Sequence, residues 1–168
     1  MTQEWSIRNE AEADAELRAP SVLIVESHSR TLCSVVLAFE EAGMRVYACS
    51  TISAAEQALR HQQFDAIVLG MMVEHLFPDE LLTLLQWREE VRPLPPVGVL
   101  SGLSEEATWA CLRPDTLVQG VLPMPLDQLQ LAKWRENLLS GAQRPDSRNR
   151  VRASATAPRP KSLWAVPV

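Results

Sequence analysis

Three cysteines (Cys33, Cys49, Cys111) and three histidines (His28, His61, His75) are the side chains best suited to ligate a metal or to attack as nucleophiles. Zinc sites and redox thiols need such residues at close spacing, as in C-x-x-C. None of the six falls at that spacing, so the cysteines read as small buried side chains in a reducing compartment. No nucleophile–base pair is visible either, and the expectation is no catalysis, no metal and no cofactor. Glu26-Ser27-His28-Ser29-Arg30 follows an apolar run but lacks the glycines that would cradle a phosphate, which excludes a dinucleotide or P-loop site. The residues left to carry function are polar groups at the ends of apolar runs, and exposed tryptophans.

Those apolar runs define the elements that must position such groups. Ser21–Glu26, Arg45–Cys49, Asp65–Gly70, Pro96–Leu100 and Leu117–Leu122 are short and rich in valine, leucine and isoleucine, as strands covered on both faces are. Between them, residues 29–42, 52–61, 78–91, 104–112 and 126–139 repeat apolar residues at helical spacing. Gly43 is a natural stop for the first helix, and Ser104 with Glu105 and Glu106 starts the fourth. In the last helix Leu129, Leu131, Trp134, Leu138 and Leu139 are expected to face inward.

Alternating short strands and helices predict an α/β fold, a doubly wound five-stranded parallel sheet of flavodoxin-like order 2-1-3-4-5 with helices on both faces. Ligands of such sheets bind at the carboxyl ends of strands 1 and 3, which places Glu26, Ser27 and Gly70 at the switch point.

The 168 residues accommodate one domain, predicted over 21–140, with an acidic N-terminal extension at 1–20 and a basic, proline-rich tail at 141–168. An apolar fraction of 46% with 22% charged residues is that of a globular protein. No apolar run reaches the about 20 residues needed to cross a bilayer, and Met1–Trp5 does not read as a secretory signal, so the expected location is cytoplasmic, without membrane contact. Residues 21–140 carry fifteen acids and eight bases, whereas 141–168 carry six bases and one acid. The acidic body would repel nucleic acid, leaving only weak, salt-sensitive binding through the tail arginines.

From Ser21 to Leu139 the sequence resembles the receiver domain of bacterial response regulators, through VLIVES, FDAIVLG, PPVGVLSG and GVLPMPLDQL in that order. The resemblance implies a pocket of acids after strand 1, an aspartate ending strand 3, a hydroxyl ending strand 4 and a lysine before a proline after strand 5. Together with Mg²⁺ these groups would accept a phosphoryl group. This chain departs from that set. Glu26 matches the first acid, but Ser27 replaces the second, Gly70 the phosphoacceptor and Met124 the lysine. Ser101 and Pro125 match, and Val121 stands where an aromatic switch residue is usual. Asp65 lies at the wrong end of its strand, roughly 16 Å away, while Glu74 and Asp79 in the next loop are candidate weak ligands.

The reading is therefore a pseudo-receiver whose surviving residues serve packing. Glu26 is expected to be a solvated strand-end carboxylate, Ser101-Gly102 a turn into the fourth helix, and Pro125 the site of a cis peptide bond. Its function would be phosphorylation-independent protein interaction, with small-ligand binding as the alternative. The resemblance implies binding, or homodimerisation, through the face made by helix 4, strand 5 and helix 5, where Trp109, Val121 and Trp134 are candidate contacts. Trp87 and Arg88 are a weaker alternative. In the tail, Leu163 and Trp164 are apolar anchors of the kind found in short docking motifs, toward a partner or toward the chain's own domain.

Overall fold

A computed structural model of the chain describes residues 19–88 and 94–139, and the side chains of Trp87, Arg88, Leu138 and Leu139 lie outside the described set. The elements alternate: β1 (Ser21–Val25), α1 (Ser29–Glu41), β2 (Arg45–Cys49), α2 (Ile52–His61), β3 (Ala66–Gly70), α3 (Pro78–Arg88), β4 (Val97–Ser101), α4 (Glu105–Cys111), β5 (Val118–Pro123) and α5 (Gln128–Leu139). The strands form one parallel sheet in the order β2-β1-β3-β4-β5. This is the expected doubly wound topology. The expectations for 1–18 and for the tail, Leu163 and Trp164 included, lie outside the described residues.

Every residue of β3 and β4 is buried, as are four of five in β1, because helices cover both faces of the central strands. The period-two alternation of a strand divides these apolar side chains between two cores. Leu23, Val25, Ile67, Leu69, Val97 and Val99 pack with α2 and α3. Val22, Ile24, Ala66, Val68 and Leu100 pack with Val35 and Phe39 of α1 and Leu131 of α5. The edge strands are less covered, and β2 leaves Tyr47 47% exposed.

Local signals set the boundaries. Thr51 and Ser104 accept from Ala54 N–H and Ala107 N–H, 3.2 Å each, and so cap α2 and α4. Gly43, at φ +76°, ends α1: its N–H reaches Glu40 O and the next N–H, of Met44, reaches Phe39 O. The last helix starts two residues later than expected because Asp127 caps it, its carboxylate accepting from Leu129 N–H at 3.2 Å. With Leu131 fully buried, that phase turns Leu129 outward, to 63% exposure, against the expectation that it faces the core.

A register irregularity between β4 and β5 skips Gln119, since Val97 pairs with Val118 but Gly98 with Gly120. The extra residue sends Val118 and Leu122, four apart, into opposite cores.

The cysteines separate by environment. Cys49 is 2% exposed and burial pushes its thiol up, away from the reactive thiolate, whereas Cys33 and Cys111 are exposed. An alkylating reagent at neutral pH is expected to label Cys33 and Cys111 in the folded protein and Cys49 only after denaturation. Peptide mass mapping before and after denaturation checks this, and prompt labelling of all three would contradict the burial.

Candidate functional site at the carboxyl edge of the sheet

The residues singled out at the switch point are brought together, but each is already engaged. Glu26 follows β1 and its N–H extends the ladder to Cys49 O at 3.0 Å. Its side chain, expected to be solvated, is instead buried at 8% exposure. The reason lies across the sheet in Gly70. A Cβ at position 70 would overlap Glu26 Oε2 and lie 3.0 Å from Cδ, so the carboxylate lies where a side chain at 70 would begin. Its other oxygen, Oε1, accepts from His28 N–H at 2.7 Å, and the His28 ring in turn caps α1 by accepting from Thr31 N–H.

Ser27, which the resemblance sets at the position of a second acid, is exposed and its Oγ accepts from Glu74 N–H at 3.1 Å. Glu74 belongs to a tight turn in which Val73 and Leu76 exchange both backbone hydrogen bonds, at 3.0 and 2.9 Å. Its central residues both adopt positive φ, Glu74 at 47° and His75 at 70°. A two-residue turn of this hand favours Asn-Gly, and a left-handed non-glycine residue costs roughly 1–2 kcal/mol. The strain is offset by what Glu74 holds: its carboxylate accepts from Ile52 N–H at 2.6 Å, at the start of α2. Glu74 thus joins three loops and is not a free ligand.

Asp79 also departs from its expected role as a weak ligand. It is buried at 8% exposure, and its carboxylate accepts from Arg113 N–H at 2.6 Å and from the Thr116 hydroxyl. It fastens the start of α3 to the loop that leads into β5.

At the end of β4, Ser101 is 1% exposed and its Oγ accepts from Leu103 N–H at 3.1 Å, forming the turn toward α4. Its Oγ also lies 2.7 Å from Thr108 Oγ1, which lies 2.8 Å from Ser104 O. A hydroxyl has one proton, so the chain resolves as Ser101 donating to Thr108 and Thr108 donating to the carbonyl. After β5, Met124 N–H reaches Ser101 O at 2.7 Å, the Met124 side chain packs on the α1–α5 core, and Met124–Pro125 is cis. Asp65, as expected, is at the opposite end of β3, where it accepts from Ser21 N–H.

Chemically, the set does not fit a divalent cation. Such an ion needs several oxygen ligands, and here one carboxylate is folded onto a backbone N–H beside a glycine and a serine. Among the described residues no group of three or more His, Cys, Asp or Glu side chains is placed to hold a metal ion.

The face formed by α4, β5 and α5 differs from expectation in its tryptophans. Trp109 is half-buried against the core under α2 and α3, with its Nε1–H donating to Glu105 at 3.2 Å. Trp134 is half-buried on the opposite side of the sheet, edge-on to Phe39 at 5.6 Å and over Gly98, where a Cβ would lie in ordinary contact with the ring at 3.6 Å. Neither ring is free on a common surface. Val121 pairs with Val99 and is half-buried. The large apolar side chains that do reach solvent are Leu117, at 41%, and Leu129, which sequence periodicity assigned to the core.

No family model and no curated protein matches the chain. Solved structures do. The receiver domain of Francisella response regulator 1452 is 20% identical with a TM-score of 0.56, covering 74% of this chain and 99% of its own. The signal receiver domain of a signal transduction histidine kinase from Syntrophus aciditrophicus is 22% identical, TM-score 0.57, covering 77% and 96%. The receiver domain of a sensor histidine kinase from Pseudomonas aeruginosa PAO1, with magnesium coordinated in its active-site cleft, is 16% identical, TM-score 0.57, covering 73% and 98%. Among the described residues no helix is long and apolar enough to cross a membrane. Sheet order, crossovers and these likenesses agree that the chain has the flavodoxin-like fold of response-regulator receiver domains.

Proposed function

We propose that this chain is a pseudo-receiver, a protein-interaction module of bacterial two-component-type signalling that works in the cytoplasm without accepting a phosphoryl group. The observation that supports this reading most is the Glu26 carboxylate lying over Gly70, in the space a phosphoacceptor side chain would need. Around it, Glu74 ties the loop of Ser27 to the start of α2, and Ser101 holds the turn of its own loop, so these polar groups are occupied by the domain's own hydrogen bonds. A site so filled has neither a nucleophile for phosphorus nor charge to neutralise the transferred group. On this reading the chain is not an enzyme, needs no cofactor, and has one fixed conformation to present to a partner protein.

The presenting surface is the α4–β5–α5 face, with Leu117 and Leu129 as its exposed apolar contacts and Val121, Trp109 and Trp134 as the framework beneath. Two copies meeting through this face would give a homodimer. The test is partner capture by the full chain from its host lysate, with and without a small phosphodonor and Mg²⁺. Recovery of the same partner in both arms is expected, with loss of about tenfold in a Leu117→Ser, Leu129→Ser variant. Capture that depends on donor and Mg²⁺ would contradict the reading.

A further inference from the structure

The carboxyl edge carries a second feature that the closed site does not explain. The β3–α3 and β4–α4 loops are neighbours, because Gly70 and Leu100 are register partners at the ends of adjacent strands. These two loops present Met72 at 47%, Phe77 at 38% and Leu103 at 49% exposure. Three large apolar side chains in two adjacent loops are unusual beside the charged rim normal for a loop surface. Interspersed with them are exposed acids, Glu80 in the first turn of α3 and Glu105 and Glu106 in that of α4, while residues 71–80 and 102–109 contain no lysine or arginine. Apolar anchors ringed by one sign of charge fit a basic peptide with apolar side chains.

The chain contains such a peptide outside the described residues. Arg159-Pro160-Lys161-Ser162-Leu163-Trp164 combines two cations with adjacent apolar residues, within a tail of six bases and one acid. From the end of α5 at Leu139, the intervening residues can extend to roughly 65 Å. The sheet layer they must pass is about 17 Å high, the length of a five-residue strand. Reach is therefore ample, and tethering makes the local concentration of the segment of order millimolar.

We infer that the segment Arg159–Trp164 docks on the carboxyl edge of its own domain, Leu163 and Trp164 against Met72, Phe77 and Leu103, and Arg159 and Lys161 beside Glu80, Glu105 and Glu106. Bound there, the segment would compete with any other peptide for the same edge. This docking does not depend on the proposed function, since an edge that accepted phosphate would present the same loops.

Lys161 and Lys133 are the only lysines, which makes the test specific. Zero-length carbodiimide coupling of the full-length protein is followed by peptide mass mapping of the monomer band. The expected product joins Lys161 to Glu80, Glu105 or Glu106 in preference to the other exposed acids, independent of protein concentration. Trp164→Ala, a change outside the folded core, should lower its yield about tenfold. Hydrogen exchange of residues 71–77 and 102–106 should rise in the same variant. Coupling of Lys161 spread evenly over the acids of the domain, or confined to covalent dimers, would overturn the inference, as would unchanged exchange in both loops.

Discussion

Replacing Gly70 with aspartate is expected to destabilise the protein by about 2–4 kcal/mol, although it restores the residue type that the fold family uses there. The new Cβ overlaps the Glu26 carboxylate, which must swing out and give up its 2.7 Å hydrogen bond from His28 N–H. A hydrogen bond to a charged group contributes about 1.5–3 kcal/mol. A second carboxylate beside the first adds like-charge repulsion. Because the colliding atoms are the far end of a flexible side chain, relaxation sets the upper limit. The effect should therefore be conditional: in a Glu26→Ala background the same Gly70→Asp change should cost at least about 1 kcal/mol less. Urea denaturation of the four proteins of this double-mutant cycle measures the coupling, and strictly additive effects would contradict the close approach of Glu26 to position 70.

The other large effect is expected at Asp79. Asp79→Ala leaves Arg113 N–H and the Thr116 hydroxyl without their acceptor in a part-buried setting. The expected loss is about 2–4 kcal/mol, since both hydrogen bonds go to a charged group that also sits in the first turn of α3. Asp79→Asn keeps an acceptor oxygen and should lose about half as much. The damage should be read beyond stability, because the Arg113–Thr116 loop delivers the chain into β5. Faster hydrogen exchange across residues 112–119 is expected in Asp79→Ala and little change in β1. A loss below about 0.5 kcal/mol, the range of ordinary surface substitutions, would mean the carboxylate does not hold that loop.

The sheet was legible because its cause is local. Val22–Val25 and Ile67–Leu69 are continuous apolar runs, and such runs between helical segments admit few arrangements other than a covered parallel sheet. The site was only half legible. That Ser27, Gly70 and Met124 lack the expected chemistry is visible in residue type alone. That Glu26 is buried is not, because its burial is made possible by the absent side chain of Gly70, 44 positions away. The turn at Glu74-His75 carries none of the Asn or Gly that marks such turns, so its role in tying Ser27 to α2 had no local signature.

The inward assignment of Leu129 was an error of phase. Leu129 and Leu131 are two positions apart, roughly 200° around a helix of 3.6 residues per turn, so with Leu131 in the core Leu129 must face solvent. The resemblance places Trp109 and Trp134 on the α4–β5–α5 face, while helical spacing expects Trp134 inward, and both rings are half-buried. What half-buries Trp134 is Phe39 on another helix, a contact between residues 95 positions apart. A residue that acts by leaving room, as Gly70 does for Glu26, gives no signal of its own in a sequence pattern.

The most direct test of the closed carboxyl edge is intact-mass spectrometry of the full-length protein after incubation with acetyl phosphate and Mg²⁺. On the proposed reading, in which Gly70 takes the acceptor position and Met124 that of the lysine, and with Glu26 turned onto His28, the mass is expected to stay that of the unmodified chain. A stoichiometric, acid-labile gain of one phosphoryl group that requires Mg²⁺ would contradict the account, because the pocket would then accept the transfer that its own side chains are held to prevent.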